Sequence, residues 1–172
     1  MNDKMSKTNF TLMHGAILGV ILIVFSLLLY LLDMSSSKLQ YLSYAILIGY
    51  LLYAMIQWRD KYNEGLLGYG QAFSTGFLVI LFSSFVMAAY VILFYGLVAP
   101  GEIAKMVSAA EENVLQMQPD ITDETLDMTM KMTKMMMTPW MMAIWAFVGN
   151  LFIGLVLSTV LAAFVKKEPQ PF

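Results

Sequence analysis

Four apolar runs, none interrupted by Lys, Arg, Asp or Glu, constrain this chain more than any other feature: residues 11–32, 39–58, 72–98 and 140–165. Each has the roughly 20 residues with which a helix crosses a hydrocarbon core of about 30 Å. Hydrocarbon offers backbone groups no water to bond, so runs of this kind must close their hydrogen bonds internally, as helices. At 59% hydrophobic and 13% charged residues, with a mean hydropathy of +0.70, the chain lies far from the soluble norm of about 45–50% and about 25%. The expected fold is all-α: an integral membrane bundle of four transmembrane helices forming a single membrane domain over residues 1–172.

The segments between the runs supply the stops. Residues 1–9 are polar and carry Lys4 and Lys7. A basic leader before an apolar run also describes a signal peptide, but h-regions are about 7–15 residues long, so an uncleaved first span is expected. Asp33 to Lys38 is a short polar turn that makes the first two spans antiparallel neighbours. The third run, at roughly 40 Å of helix, exceeds the core and should tilt, kink or protrude. Tyr90 and Tyr95 mark its exit. After Ala99-Pro100-Gly101, the residues Ile103, Met106, Val107, Ala110, Val114 and Met117 fall on one helical stripe. Thr122, with Asp123 and Glu124 behind it, reads as an N-cap. An extramembrane amphipathic pair is therefore predicted at about 101–118 and 122–137. Thr138-Pro139 reads as a cap with Pro at the first helical position. Lys166-Lys167 ends the fourth span, and the tail 166–172 should be disordered.

Basic residues near span ends stay in the cytoplasm. With the N-terminus inside, the cytoplasm holds Lys4, Lys7, Arg59, Lys61, Lys166 and Lys167, and the far side holds Lys38, Lys105, Lys131 and Lys134. Three of the latter are diluted by acids in a long loop. Both termini are accordingly expected to be cytoplasmic.

The Arg59-Asp60 turn leading through Gly65 to Gly68-Tyr69-Gly70-Gln71-Ala72 and Gly76, the Thr138-Pro139 entry and the Ala162-Ala163-Phe164-Val165-Lys166-Lys167 exit resemble domain of unknown function 4199, a family of small integral membrane proteins of Bacteroidota-type bacteria. The likeness covers nearly the whole chain, and Tyr69-Gly70-Gln71-Ala72 is its most specific part. The resemblance implies a multi-pass protein of the bacterial inner membrane and supplies no catalytic residues. The density of Met between Met128 and Met142 departs from it.

Few residues invite chemistry. A net charge of −2 leaves no basic face for nucleic acid. Without Cys, thiol catalysis and zinc ribbons fall away. Gly65, Gly68 and Gly70 fit neither phosphate-binding fingerprint and are read as turn or close-approach residues. No acid stands in a span to assist His14, so no enzyme and no cofactor is expected. Met128, Met132, Met135 and Met136 share one helical face, and thioethers select Cu(I); the plainer reading is apolar packing. Polar groups at membrane depth need partners, so Asn150 is expected to hydrogen-bond Ser83 or Ser84 across antiparallel spans. Gly15 with Gly19, and Gly154 with Ser158 and Ala162, are small-residue seams suited to close helix contact. The expected function is a non-enzymatic structural or interaction protein whose partners are the bilayer and a second copy or another membrane protein. The alternative is a small oligomeric channel or exporter handling a soft metal through the Met128–Met142 cluster.

Overall fold

The computed structural model describes residues 5–34 and 38–168. Lys4, the Ser35 to Ser37 part of the first turn and the Pro169 to Phe172 part of the tail lie outside the described residues. Those described are all-helical, with six α-helices: α1 (Lys7–Leu31), α2 (Leu42–Gln57), α3 (Tyr69–Leu93), α4 (Pro100–Met117), α5 (Asp123–Met136) and α6 (Pro139–Val165). Four helical segments are long and apolar enough to cross a membrane: Lys7–Leu31, Lys38–Tyr62, Tyr69–Val98 and Pro139–Val165.

Helix ends follow local chemistry. The Ser6 hydroxyl accepts from the Asn9 amide at 3.2 Å, starting α1 four residues before the apolar run. Asp33 ends it with φ 55°, while Met34 N–H bonds Leu29 O at 2.8 Å and Asp33 N–H bonds Tyr30 O at 3.0 Å. This is a Schellman closure with Asp, which tolerates the left-handed region, in place of Gly. Both α2 and α3 widen into π-helical turns at their ends, Trp58–Tyr62 and Phe94–Val98. Thr122 caps α5 by accepting from the Thr125 amide at 3.4 Å. Thr138 differs from the expected cap, because its hydroxyl donates back to the Met135 carbonyl at 3.1 Å.

Packing divides the chain into two compact units, Met1–Met87 with Phe147–Phe172, and Ala88–Ala146. In the first, the core is built from Phe10 and Leu18 of α1, Leu47, Leu51, Ala54 and Met55 of α2, Ala72, Val79 and Ile80 of α3, and Leu161, Ala162 and Val165 of α6. Within each helix these positions are separated by one, three, four, seven or eight residues, the spacings of one helical face. Small residues set the closest approaches. A Cβ at Gly15 would stand 2.5 Å from Phe82 Cβ, one at Gly19 2.8 Å from Val86, and one at Gly154 2.5 Å from Ile80. Both expected seams thus pack against α3.

The second unit contains α4 and α5. On α4, Ile103, Met106, Val107, Ala110 and Val114 are half-buried, whereas Met117, the last residue of the expected stripe, is 83% exposed. On α5 the inward residues are Leu126, Thr129, Met130 and Thr133, with Met130 the buried one.

Candidate functional site

The segment between α2 and α3 gathers the ends of four helices. Glu64 and Gly65 both take positive φ, at 55° and 76°, and the Gly65 amide reaches back to the Arg59 carbonyl at 2.9 Å. Residue 65 thus has the conformation that only Gly adopts without penalty. Asn63 donates through Nδ2 to the Leu66 carbonyl and to Gln71 Oε1, the latter at 3.2 Å, which ties the loop to the first turn of α3. Leu67 is fully buried and exchanges two backbone bonds with Lys167, at 2.8 and 2.9 Å. Lys167, expected to belong to a disordered tail, is held by this bridge, which depends on a partner 100 residues away in sequence.

Side chains complete the junction. Arg59 chelates Asp60 through Nε at 2.7 Å and Nη2 at 3.2 Å, and its Nη1 donates to the Val165 carbonyl at 3.1 Å. That satisfies one of the carbonyls a helix C-terminus leaves unpaired. The Tyr69 hydroxyl donates to the Thr159 carbonyl at 3.2 Å. Lys7 donates to the Gln71 carbonyl at 3.2 Å and to the Ser74 hydroxyl. Gly68 and Gly70 differ from Gly65, since neither takes a positive φ, and with open space around a Cβ on either no close approach requires them.

Beside the junction lies an aromatic cluster that the sequence did not disclose. The Phe10 ring sits 4.2 Å from His14, 5.0 Å from Trp58 and 5.3 Å from Tyr62, and Trp58 stacks on Tyr62. His14 is 4% exposed, and its Nδ1 lies 2.9 Å from the Tyr50 hydroxyl. Its Nε2 and the Gln57 Oε1 are buried without hydrogen-bond partners among the described residues. The only signal was the spacing Phe10, His14 on one helix against Tyr50, Tyr53, Gln57 on the next. A neutral imidazole here presents one ring nitrogen to Tyr50 and holds the other for a donor or acceptor, according to its tautomer. Among the described residues, no group of three His, Cys, Asp or Glu is placed to hold a metal ion.

The family model described as "Protein of unknown function (DUF4199)" matches residues 13–167. The chain belongs to this family. No curated protein and no solved structure matches it. In this DUF4199 protein the stretch Tyr69-Gly70-Gln71-Ala72 ties the junction to its surroundings: Tyr69 bonds α6, Gln71 bonds Lys7 and Asn63, and Ala72 enters the core.

The remaining candidates separate by helix face. Gly76 faces Ser158, and Ile80 faces Gly154. One turn further on, the same antiparallel register brings Ser84 level with Asn150, which is half-buried. The Ser84 hydroxyl donates to the Ile80 carbonyl at 2.8 Å, leaving its lone pairs for another donor. Ser83 is buried on the α1 side, where its backbone nitrogen would lie 3.1 Å from a Cβ at Gly15. Met128, Met132, Met135 and Met136 of α5 are all exposed, by 65%, 60%, 64% and 49%. They do not serve as packing inside this chain.

Proposed function

We propose that this DUF4199 protein is a non-enzymatic interaction protein of the bacterial inner membrane, spanning it four times with both termini in the cytoplasm. The observation that carries this reading is the closed seam between α1, α3 and α6. A water path between these helices has to pass Thr75, Ser83, Ser84 or Asn150. Thr75, Ser83 and Ser84 are buried, Thr75 and Ser84 donate to carbonyls of their own helix, and glycines bring the helices together at either side. Such a seam favours rigid packing over conduction. The outward faces support the bilayer as solvent: Leu12, Val20 and Leu28 on α1, and Phe152 and Val160 on α6, are each about half exposed or more. A water-soluble chain rarely shows so continuous an apolar surface.

The cytoplasmic assignment draws support from Lys7, Arg59 and Lys167, which meet at one junction. Basic residues at span ends are retained inside. On this reading the α4–α5 segment is extracytoplasmic and available to lipid or a partner.

The test uses the absence of native Cys. Single Cys replacements at Ser84, Asn150 and Lys61 are treated with a membrane-impermeant maleimide in cells and in inverted vesicles. Lys61→Cys should label from the cytoplasmic face only, and Ser84→Cys and Asn150→Cys from neither. Labelling of both seam positions would overturn the interaction reading in favour of an aqueous channel.

A further inference from the structure

We propose that the outward face of α5 is a soft-metal site, in which the thioether sulfurs of Met128, Met132, Met135 and Met136 bind Cu(I). The inference is independent of the interaction reading, since it concerns one face of one helix. Successive residues of a helix are about 100° apart, so positions 128, 132, 135 and 136 share one arc. Leu126, Thr129, Met130 and Thr133 point inward, and the four methionines are the large apolar residues of the helix that stay exposed. Met132 has Met128 and Met136 at i−4 and i+4 and Met135 at i+3, where Cβ atoms lie about 5–6 Å apart. A methionine side chain has three rotatable bonds and a polarisable sulfur, enough reach for the sulfurs of Met132, Met135 and Met136 to converge on one ion and for Met128 to pair with Met132; Met128 and Met136, about 12 Å apart along the axis, do not share an ion.

Composition separates a sulfur requirement from a merely apolar one. Half of the chain's 16 methionines fall between residues 128 and 142, and residues 123–142 hold one Leu and no Ile, Val or Phe. With Met106 and Met117 as its two methionines, the neighbouring α4 makes its own apolar stripe chiefly from Ile103, Val107, Ala110 and Val114. A surface that needed only to meet lipid would be served by those residues, whereas a soft ligand requires thioether. The charged neighbours Glu124, Lys131 and Lys134 lie off the arc, and Thr129 turns its hydroxyl to the Thr125 carbonyl at 2.8 Å. Thr125 shares the arc one turn before Met128, its hydroxyl engaged with that of Thr122 at 2.8 Å, so around Met132, Met135 and Met136 the donors are sulfur. Thioether sulfur selects Cu(I) and its surrogate Ag(I) over the harder divalent ions, which prefer nitrogen or oxygen.

The full-length protein in detergent, under reducing conditions, is titrated with Cu(I) against a competing chelator. A variant with all four residues changed to Leu is compared, alongside Met130→Leu as the buried control. Wild type and Met130→Leu should bind saturably, and the fourfold variant should lose binding while keeping its helical circular dichroism. Labelled methionine methyls should show Ag(I)-induced shifts at the four outward residues and none at Met130. Absence of saturable binding in wild type, or binding that survives in the folded fourfold variant, would overturn the proposal. The latter result would leave the arc as a lipid- or protein-facing apolar surface.

Discussion

Gly15→Ala is the substitution whose outcome the packing constrains most tightly. The added Cβ would stand 2.5 Å from Phe82 Cβ, 2.7 Å from the Val79 carbonyl oxygen and 3.1 Å from the Ser83 nitrogen. Carbon atoms in contact settle at about 3.5–4.0 Å, so α1 and α3 must part by on the order of 1 Å. None of the three atoms lies at the far end of a flexible side chain, so no change of rotamer relieves the clash. Overpacking of this kind costs about 1–3 kcal/mol. Separation also weakens the rest of the seam, since a gap of about 1 Å forfeits up to about half of each dispersion contact. Against this stands the better helix propensity of Ala, worth about 0.8–1.0 kcal/mol in aqueous hosts. The net expectation is a loss of about 1–2 kcal/mol. Gly49→Ala and Gly149→Ala supply the contrast, because a Cβ at either position meets nothing within 4 Å; each should be neutral or slightly stabilising. Unfolding by SDS in mixed micelles, followed by tryptophan fluorescence, ranks the three variants. Equal midpoints for Gly15→Ala and Gly49→Ala would refute the close-packed seam and, with it, the physical basis for the interaction reading.

Gly65→Ala should lose about 1–2 kcal/mol through its left-handed backbone alone, since its Cβ meets open space; Gly68→Ala and Gly70→Ala in the same assay should be neutral. Arg59→Gln removes the guanidinium that bonds the Val165 carbonyl and should cost about 1 kcal/mol for a partly exposed contact. Amide exchange at Leu67 and Lys167 should quicken in that variant, and unchanged protection there would separate the Arg59 contact from the bridge. For Asn150 and Ser84, a double-mutant cycle of Asn150→Leu with Ser84→Ala should give a coupling of about 0.6–1.7 kcal/mol if the amide donates across the helices. Additivity within about 0.3 kcal/mol would show that the two sites are independent.

The parts of this fold that were legible in the sequence are those governed by solvent and by local stops. Four charge-free runs became four long apolar helices, Thr122 and Pro139 stand at the starts expected of them, and Pro100, read as the stop of the third run, opens α4. Gly15, Gly19, Gly154 and Ser158 were also legible, because small residues at helical spacing have few reasons to recur in a span other than contact. What escaped depended on register between helices. Ser83 and Ser84 are adjacent in sequence yet serve different seams, as the 100° step of a helix requires. His14 read as the polar start of a span until Tyr50 and Phe10 enclosed it. Lys167 read as tail because its partner, Leu67, is distant in the chain.

The junction and the spans also differ in what they ask of their residues. Within a span almost any apolar residue satisfies the hydrocarbon, and the packing asks mainly for size. At the junction each group answers to a particular partner: Arg59 to a helix C-terminus, Asn63 to Gln71, Leu67 to Lys167, Tyr69 to Thr159. Replacing Arg59, Asn63 or Tyr69 leaves a named backbone or side-chain group unpaired, a cost that hydropathy cannot offset, while the Leu67–Lys167 pair rests on backbone bonds and on the burial of Leu67. The methionine arc of α5 stands under neither constraint. Its side chains are exposed, their volume is supplied elsewhere by Leu, Ile and Val, and no partner within the chain requires them. A feature unexplained by solvent, by packing or by internal bonding is where ligand chemistry is best sought, and sulfur names the ligand.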